Sequence, residues 1–153
     1  MGAPQSAAED EQLTLRAFAA ADAGDYERMM AFFGERSVWD VSPWGLGTHT
    51  GAPAIRSFFG DWIGGFEEYS VEIEELTGLG HGVVLVKAVQ RARSARMQVV
   101  LELHQVSVFC WEEGIAAHVV HYRDIETARA TAERAVAAAR ARQAAATATA
   151  RSS

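Results

Sequence analysis

The apolar pattern of this chain changes period once, and that change governs what the chain can fold into. Up to about residue 66 apolar side chains recur at helical spacing, and from about residue 70 they alternate with polar ones. Helices followed by strands joined through short turns describe an α+β domain, in which a curved antiparallel sheet wraps around N-terminal helices. In the first part, Leu13, Ala17, Ala20 and Ala21, widened by Leu15 and Phe18, mark a helix over about residues 8–23. Gly24-Asp25 breaks it, and Asp25 is placed to cap a short second helix reaching Phe33, with Met29, Met30, Phe32 and Phe33 as core. After a strand at 38–41 and a Gly-rich loop, a third helix over about 52–66 carries Ile55, Phe58, Phe59, Trp62, Ile63 and Phe66 on one broad face. Gly64-Gly65 stops it.

The second part predicts strands near 71–74, over 83–91 and 97–111, and over 115–123, with Glu112-Glu113-Gly114 as a hairpin. In the long strand the odd positions, from Met97 to Trp111, form the buried face and the even positions, from Gln98 to Glu112, the outer one. Gln105 and Ser107 interrupt the buried face, and buried polar groups need partners or a ligand. Val100, Val106 and Val108 leave an apolar strip on the outer face, which suits a homodimer formed through the sheet.

A length of 153 residues fits one domain, expected as a disordered leader (1–8), a folded body (9–124) and an Ala/Arg-rich helical tail (125–153). The tail has strong helix propensity to about Ala146, but alanine offers too little area to dock it firmly. It is therefore expected to fray, or to act as a dimer-stabilising arm. The tail sets two acids, Glu126 and Glu133, against five arginines, so the body is more acidic than the overall charge of −6. An acidic body argues against nucleic acid as a partner, since phosphate binding needs a basic footprint. No apolar run reaches the roughly 18 residues of a membrane span, and the N-terminus lacks a basic-then-apolar signal. A cytoplasmic location is the expectation. The single cysteine, Cys110, has no partner for an internal disulfide and reads as a small buried hydrophobe.

The chemistry is concentrated around Ser37-Val-Trp-Asp-Val-Ser-Pro-Trp-Gly. Here Asp40 stands in a short strand beside Trp39 and Trp44. In an apolar pocket, desolvation would raise its pKa into the range useful for proton transfer. Plain alternation, however, buries Trp39 and Val41 and exposes Asp40. Trp44, Phe58, Phe59, Trp62 and Phe109 would make an aromatic pocket for a flat hydrophobic ligand, with His49 in the loop at its mouth. His118 and His121 point to opposite faces of one strand and so cannot share a metal, and no metal site is expected. His104 belongs to the outer face, and Asp124 is placed to cap the last helix.

The Val-Trp-Asp strand, the Gly51-x-x-Ala-Ile-Arg-x-Phe helix and the Tyr122-Arg-Asp-Ile-Glu-Thr-Ala ending, taken in that order, resemble the SnoaL-like group of the nuclear-transport-factor-2-like superfamily. The likeness covers about residues 9–130 and rests on the order of the motifs. It implies a cone-shaped barrel, and members include polyketide cyclases, ketosteroid isomerases, limonene epoxide hydrolases, dehydratases and non-catalytic binding domains. By this resemblance Asp40 falls where similar isomerases place their base, which requires the register opposite to plain alternation. It also puts Val119, His121 and Arg123 on the pocket side, His121 as a proton shuttle and Arg123 as an anchor for a carboxylate or enolate. Ala17, Phe33 and Phe59 stand where those isomerases would supply tyrosines, and Ser107 where they would supply a protonated acid. Without those groups their oxyanion hole is missing. Nor does Arg91-Ala92-Arg93 bring a neighbouring carboxylate of the epoxide-hydrolase kind.

Two functional classes follow. One is a cofactor-independent isomerase, cyclase, dehydratase or hydrolase that uses Asp40 with His121 or Arg123. The other is a non-catalytic domain that holds an apolar metabolite or mediates dimerisation or protein contact. Gln105, Ser107 and Val119 complete the expected ligand-lining set in either class.

Overall fold

A computed structural model describes residues 6–94, 96 and 99–152. Residues 1–5 of the expected leader, together with Ala95, Met97 and Gln98 of the expected basic turn and long strand, lie outside the described residues. Helix α1 (Ala7–Asp22) begins where Ser6 accepts a hydrogen bond from the Glu9 N–H, so the leader ends earlier than expected. Helix α2 (Tyr26–Met30) is capped by Asp25, as anticipated, but ends three residues short of Phe33. Then come β1 (Val38–Asp40), a 3-10 turn at Ser42–Trp44, β2 (Thr48–Thr50) and helix α3 (Ala52–Gly64). Strands β3 (Glu68–Gly80), β4 (Val83–Arg93), β5 (Val100–Glu112) and β6 (Ile115–Tyr122) follow, and helix α4 (Ile125–Ser152) closes the chain.

The six strands form one sheet in the order β2-β1-β6-β5-β4-β3. All neighbours are antiparallel except β1 with β6, because β1 reaches the sheet before the hairpins are made and is joined to β6 by no turn. Bulges in β3, between Ile73 and Glu75 and between Gly78 and Gly80, and in β6 at Ala117, opposite Cys110/Trp111, bend the sheet, which curls around α1, α2 and α3. The inner core gathers Phe18, Met29, Phe33, Trp39, Ile55, Phe59, Val84, Val86, Phe109 and Trp111.

Helix α1 is fastened to the sheet by polar ties. Asp22 accepts from the Val71 N–H, Glu11 from the Gly78 N–H and Asp10 from the Gly82 N–H, while the Trp111 indole donates to Thr14. Gly82 is required at its position. Its φ is +81°, and a Cβ there would stand 2.2 Å from the Trp111 carbonyl oxygen.

The outer face departs from expectation. Helix α4 lies across it, and Val83, Leu85, Val106, Val108 and Val120 are buried together with Ala128 and Ala132. Alanine does dock this helix: its small side chains let the helix backbone approach the sheet closely, so the valines supply the buried area. The Asp124 cap on Thr127, the Thr131 hydroxyl on the Tyr122 hydroxyl, and His81 against Gln143 and Arg140 hold it along its length. The helix continues to Ser152, past the expected fraying point. Two of the three valines assigned to a homodimer strip are thus covered by the chain's own tail, and Val100 alone stays exposed, at 67%.

Candidate functional site

Between the inner face and the three N-terminal helices lies a partly open pocket with a cavity volume of about 80 Å³. Ala17, Phe18 and Ala21 of α1 and Phe58, Phe59 and Trp62 of α3 form one wall. Tyr69, Gln90, Leu103, Gln105, Phe109 and His121 of the sheet form the other, with Trp44 and Leu46 at the loop end. The local reasons are the two periods: positions 58, 59 and 62 share one helix face, and 103, 105 and 109 share one strand face.

The aromatic rings form a connected set. Trp39 meets Phe59 at 4.6 Å and His121 at 4.3 Å between centroids, Phe33 meets Trp39 at 5.7 Å, and Phe58 lies parallel to Trp62. Four polar side chains are threaded among them. Gln90 Oε1 accepts from the Trp62 indole and from the Tyr69 hydroxyl, each at 3.0 Å, and Gln90 Nε2 donates to Gln105 Oε1 at 2.5 Å. Ser107 Oγ and His121 Nδ1 are hydrogen-bonded at 2.5 Å. His121 is 2% exposed, and its Nε2 and the indole nitrogens of Trp39 and Trp44 are buried without a partner. Burial pushes the His121 pKa down to about 3, against the opposing pull of the Asp40 charge. Burial likewise raises the Tyr69 phenol, helped by Asp22 and Tyr26.

Of the residues named from sequence, Trp44, Phe58, Phe59, Trp62, Gln105, Phe109 and His121 line the pocket together. Ser107 lies behind His121, fully buried, and Val119 is core, so neither reaches the pocket space. His49 bonds to the Leu46 carbonyl and packs on Phe58 from outside. Arg123 is exposed, with its guanidinium 4.6 Å from the Trp44 ring centre, at the edge of the site rather than in it.

Asp40 is turned away from the pocket. Its carboxylate accepts from the Ser42 N–H at 2.9 Å and the Thr48 hydroxyl at 3.2 Å, and Trp39 takes the inner position instead. Burial alone would raise its pKa, but those hydrogen bonds and the charge of His118 outweigh it and hold the carboxyl below the usual range. Plain alternation therefore prevails over the register the resemblance implied. In a strand of three residues the indole gains far more by burial than the carboxylate, whose desolvation is unfavourable.

Arg91 does have carboxylate neighbours, but across strands rather than along one. It pairs with Glu72 at 2.9 Å and Glu102 at 3.5 Å on the exposed outer surface, away from the pocket. His118 and His121 fall on opposite faces, and among the described residues no cluster of three or more His, Cys, Asp or Glu side chains is arranged to hold a metal ion. Cys110 is partly buried, and its thiol is raised to about 11, which leaves it protonated and unreactive. Gln90 and Tyr69 are not singled out by the sequence, and Trp39 only as the buried neighbour of Asp40. Gln90 had a readable signal, since it ends the inward series Val84, Val86, Ala88 as Gln105 interrupts its own.

A family model for the SnoaL-like domain matches residues 14–119. Among solved structures, a protein from Shewanella denitrificans assigned as a SnoaL-like polyketide cyclase superposes with a TM-score of 0.65 at 18% identity, covering 77% of this chain and 92% of its own. An epoxide hydrolase from M. tuberculosis, of limonene-epoxide-hydrolase-like type, gives 0.66 at 16% identity, with 88% and 96% covered. TerC, co-crystallised with polyporic acid, gives 0.65 at 19% identity, with 81% and 98% covered. At these identities the likeness is one of fold. A comparison with curated protein sequences returns no match. Among the described residues no helix is long and apolar enough to cross a membrane.

Proposed function

The chain belongs to the SnoaL-like domain family, and from that premise we propose that it binds a small, flat, largely apolar molecule in the pocket bounded by Trp39, Phe58, Phe59, Trp62 and Phe109. One observation carries this reading. The titratable side chains lining the pocket are His121 and Tyr69, and burial keeps both neutral, so the site offers rings and hydrogen bonds but no general base poised near pH 7. Binding is therefore the activity the geometry favours over acid–base catalysis by Asp40. That a structural neighbour was co-crystallised with polyporic acid supports a small-molecule occupant for this fold.

A second reading, a cofactor-independent isomerase or cyclase, is favoured by the unpartnered Nε2 of His121. There the imidazole would act as a neutral polarising group rather than as a proton shuttle, with Arg123 at the rim. The test is a titration of the protein and of Asp40→Asn with indene, a flat apolar probe, followed by NMR. Saturable shifts of pocket residues with a Kd unchanged within about twofold in the variant support the binding reading. A loss of about tenfold or more on Asp40→Asn would return the acid to the site and sink it.

A further inference from the structure

Indole nitrogens only donate hydrogen bonds, and that fact propagates through the pocket wall. Because Trp62 Nε1–H points at Gln90, the atom it meets must be the amide oxygen, and the Tyr69 hydroxyl donates to the same oxygen. The amide nitrogen of Gln90 is thereby turned to Gln105 and donates to its oxygen. Gln105 then has its own NH2 on the side away from Gln90. Flipping either amide would set a donor against a donor. Behind these amides the fully buried Ser107 hydroxyl is hydrogen-bonded to His121 Nδ1, and among the described residues His121 Nε2 and the Trp39 and Trp44 indole nitrogens are enclosed without a partner.

We infer that the pocket turns the uncommitted NH2 of Gln105 toward its occupant, and that the occupant is a flat apolar molecule presenting a hydrogen-bond acceptor to it. Gln105 is the specificity-determining contact, with Trp62 and Gln90 as the residues that position it. The inference rests on the binding reading above and deepens it. Donors held in an apolar wall favour an acceptor strongly and a competing donor not at all, since an unmatched N–H against N–H contact leaves both groups desolvated and unpaired.

Three bicyclic probes of one shape separate the possibilities: 1-indanone has an acceptor and no donor, indole a donor and no acceptor, and indene neither. Titrated into the full-length protein, 1-indanone should bind about tenfold or more tightly than indole, with indene between them. The ketone should shift the side-chain NH2 signals of Gln105, while the indole N–H of Trp111, bonded to Thr14 outside the pocket lining, stays still. Gln105→Glu, which exchanges the free NH2 for an oxygen, should narrow the preference at least about threefold, and Trp62→Phe should do the same by releasing Gln90. Equal affinity for all three probes, or indole ahead of 1-indanone, overturns the polarity while leaving a pocket that binds. If none of the three binds, the binding reading itself falls, and this inference with it. The ranking in the unmutated protein decides the matter even if a variant fails to fold.

Discussion

The inner face of the sheet meets helices that carry Phe18, Met29, Phe59 and Trp62, whereas the outer face meets one helix that carries Ala128, Ala132 and Val136. Large rigid rings on the concave side touch edge to face and leave space between them; small side chains on the convex side let a helix settle flat and leave none. The polar groups divide in the same way. Inside, among the described residues, three buried ring nitrogens have no partner, whereas α4 is tied by Asp124 at its start and by Thr131 and Gln143 along its length. One sheet thus has a face that leaves a pocket and a face filled by its own chain.

The strongest test of that contrast is deletion of residues 125–152. It uncovers Val83, Leu85, Val106, Val108 and Val120, each contributing about 1.5–3 kcal/mol when buried, which together rivals the whole stability of a domain this size. The shortened chain should precipitate or self-associate in sedimentation experiments. A well-folded monomer would show that the outer face needs no cover.

Acid comes next in size. His121 is folded with a pKa near 3 and unfolds to an ordinary value near 6.5, so its contribution is complete above pH 6.5 and is lost as pH falls. The loss is about 1.4 kcal/mol per pH unit between roughly 6.5 and 3. Denaturant titrations should show this limb in the native chain and a flatter one in His121→Gln. Asp10, whose buried carboxyl is raised, works in the opposite sense, its cost easing as it protonates, so the comparison is cleanest in an Asp10→Asn background.

The smallest effect is the most diagnostic. Ala132→Leu should cost about 1–3 kcal/mol by overpacking α4 against the sheet. Ala21→Leu, which points into the pocket space, should change stability by no more than about 0.5 kcal/mol yet abolish indene binding. Equal thermal shifts for the two would erase the distinction between a filled face and an open one.

Much of this arrangement was readable beforehand, and the limits have physical causes. The sheet, the three N-terminal helices and the aromatic lining follow from two periods that the chain keeps cleanly, so Phe58, Phe59, Trp62 and Phe109 are legible as parts of one aromatic lining, and Gln105 separately as a polar break in a buried strand face. The docking of α4 was not, because an alanine-rich helix looks alike on every face and its burial depends on valines some eight to fifty residues earlier. Asp40 shows a different limit. The local alternation at Val38–Asp40 pointed outward, and the structure follows it over the more distant likeness. Gln90 and Tyr69 went unremarked because a polar residue at an inward position gains meaning only from its partner across the strand.

The ties of α1 also bear on how the protein is made. Its fastening points are Gly82, 72 residues beyond Asp10, and Trp111, 97 residues beyond Thr14. On a ribosome adding about 5–20 residues per second, the first helix must wait roughly 5–20 s for the indole that anchors it. Within that interval β3, which α1 also ties through Val71 and Gly78, is made first, and the sheet stays bare on its convex side until the last helix emerges. Completion of both faces of the sheet is therefore a late event in synthesis.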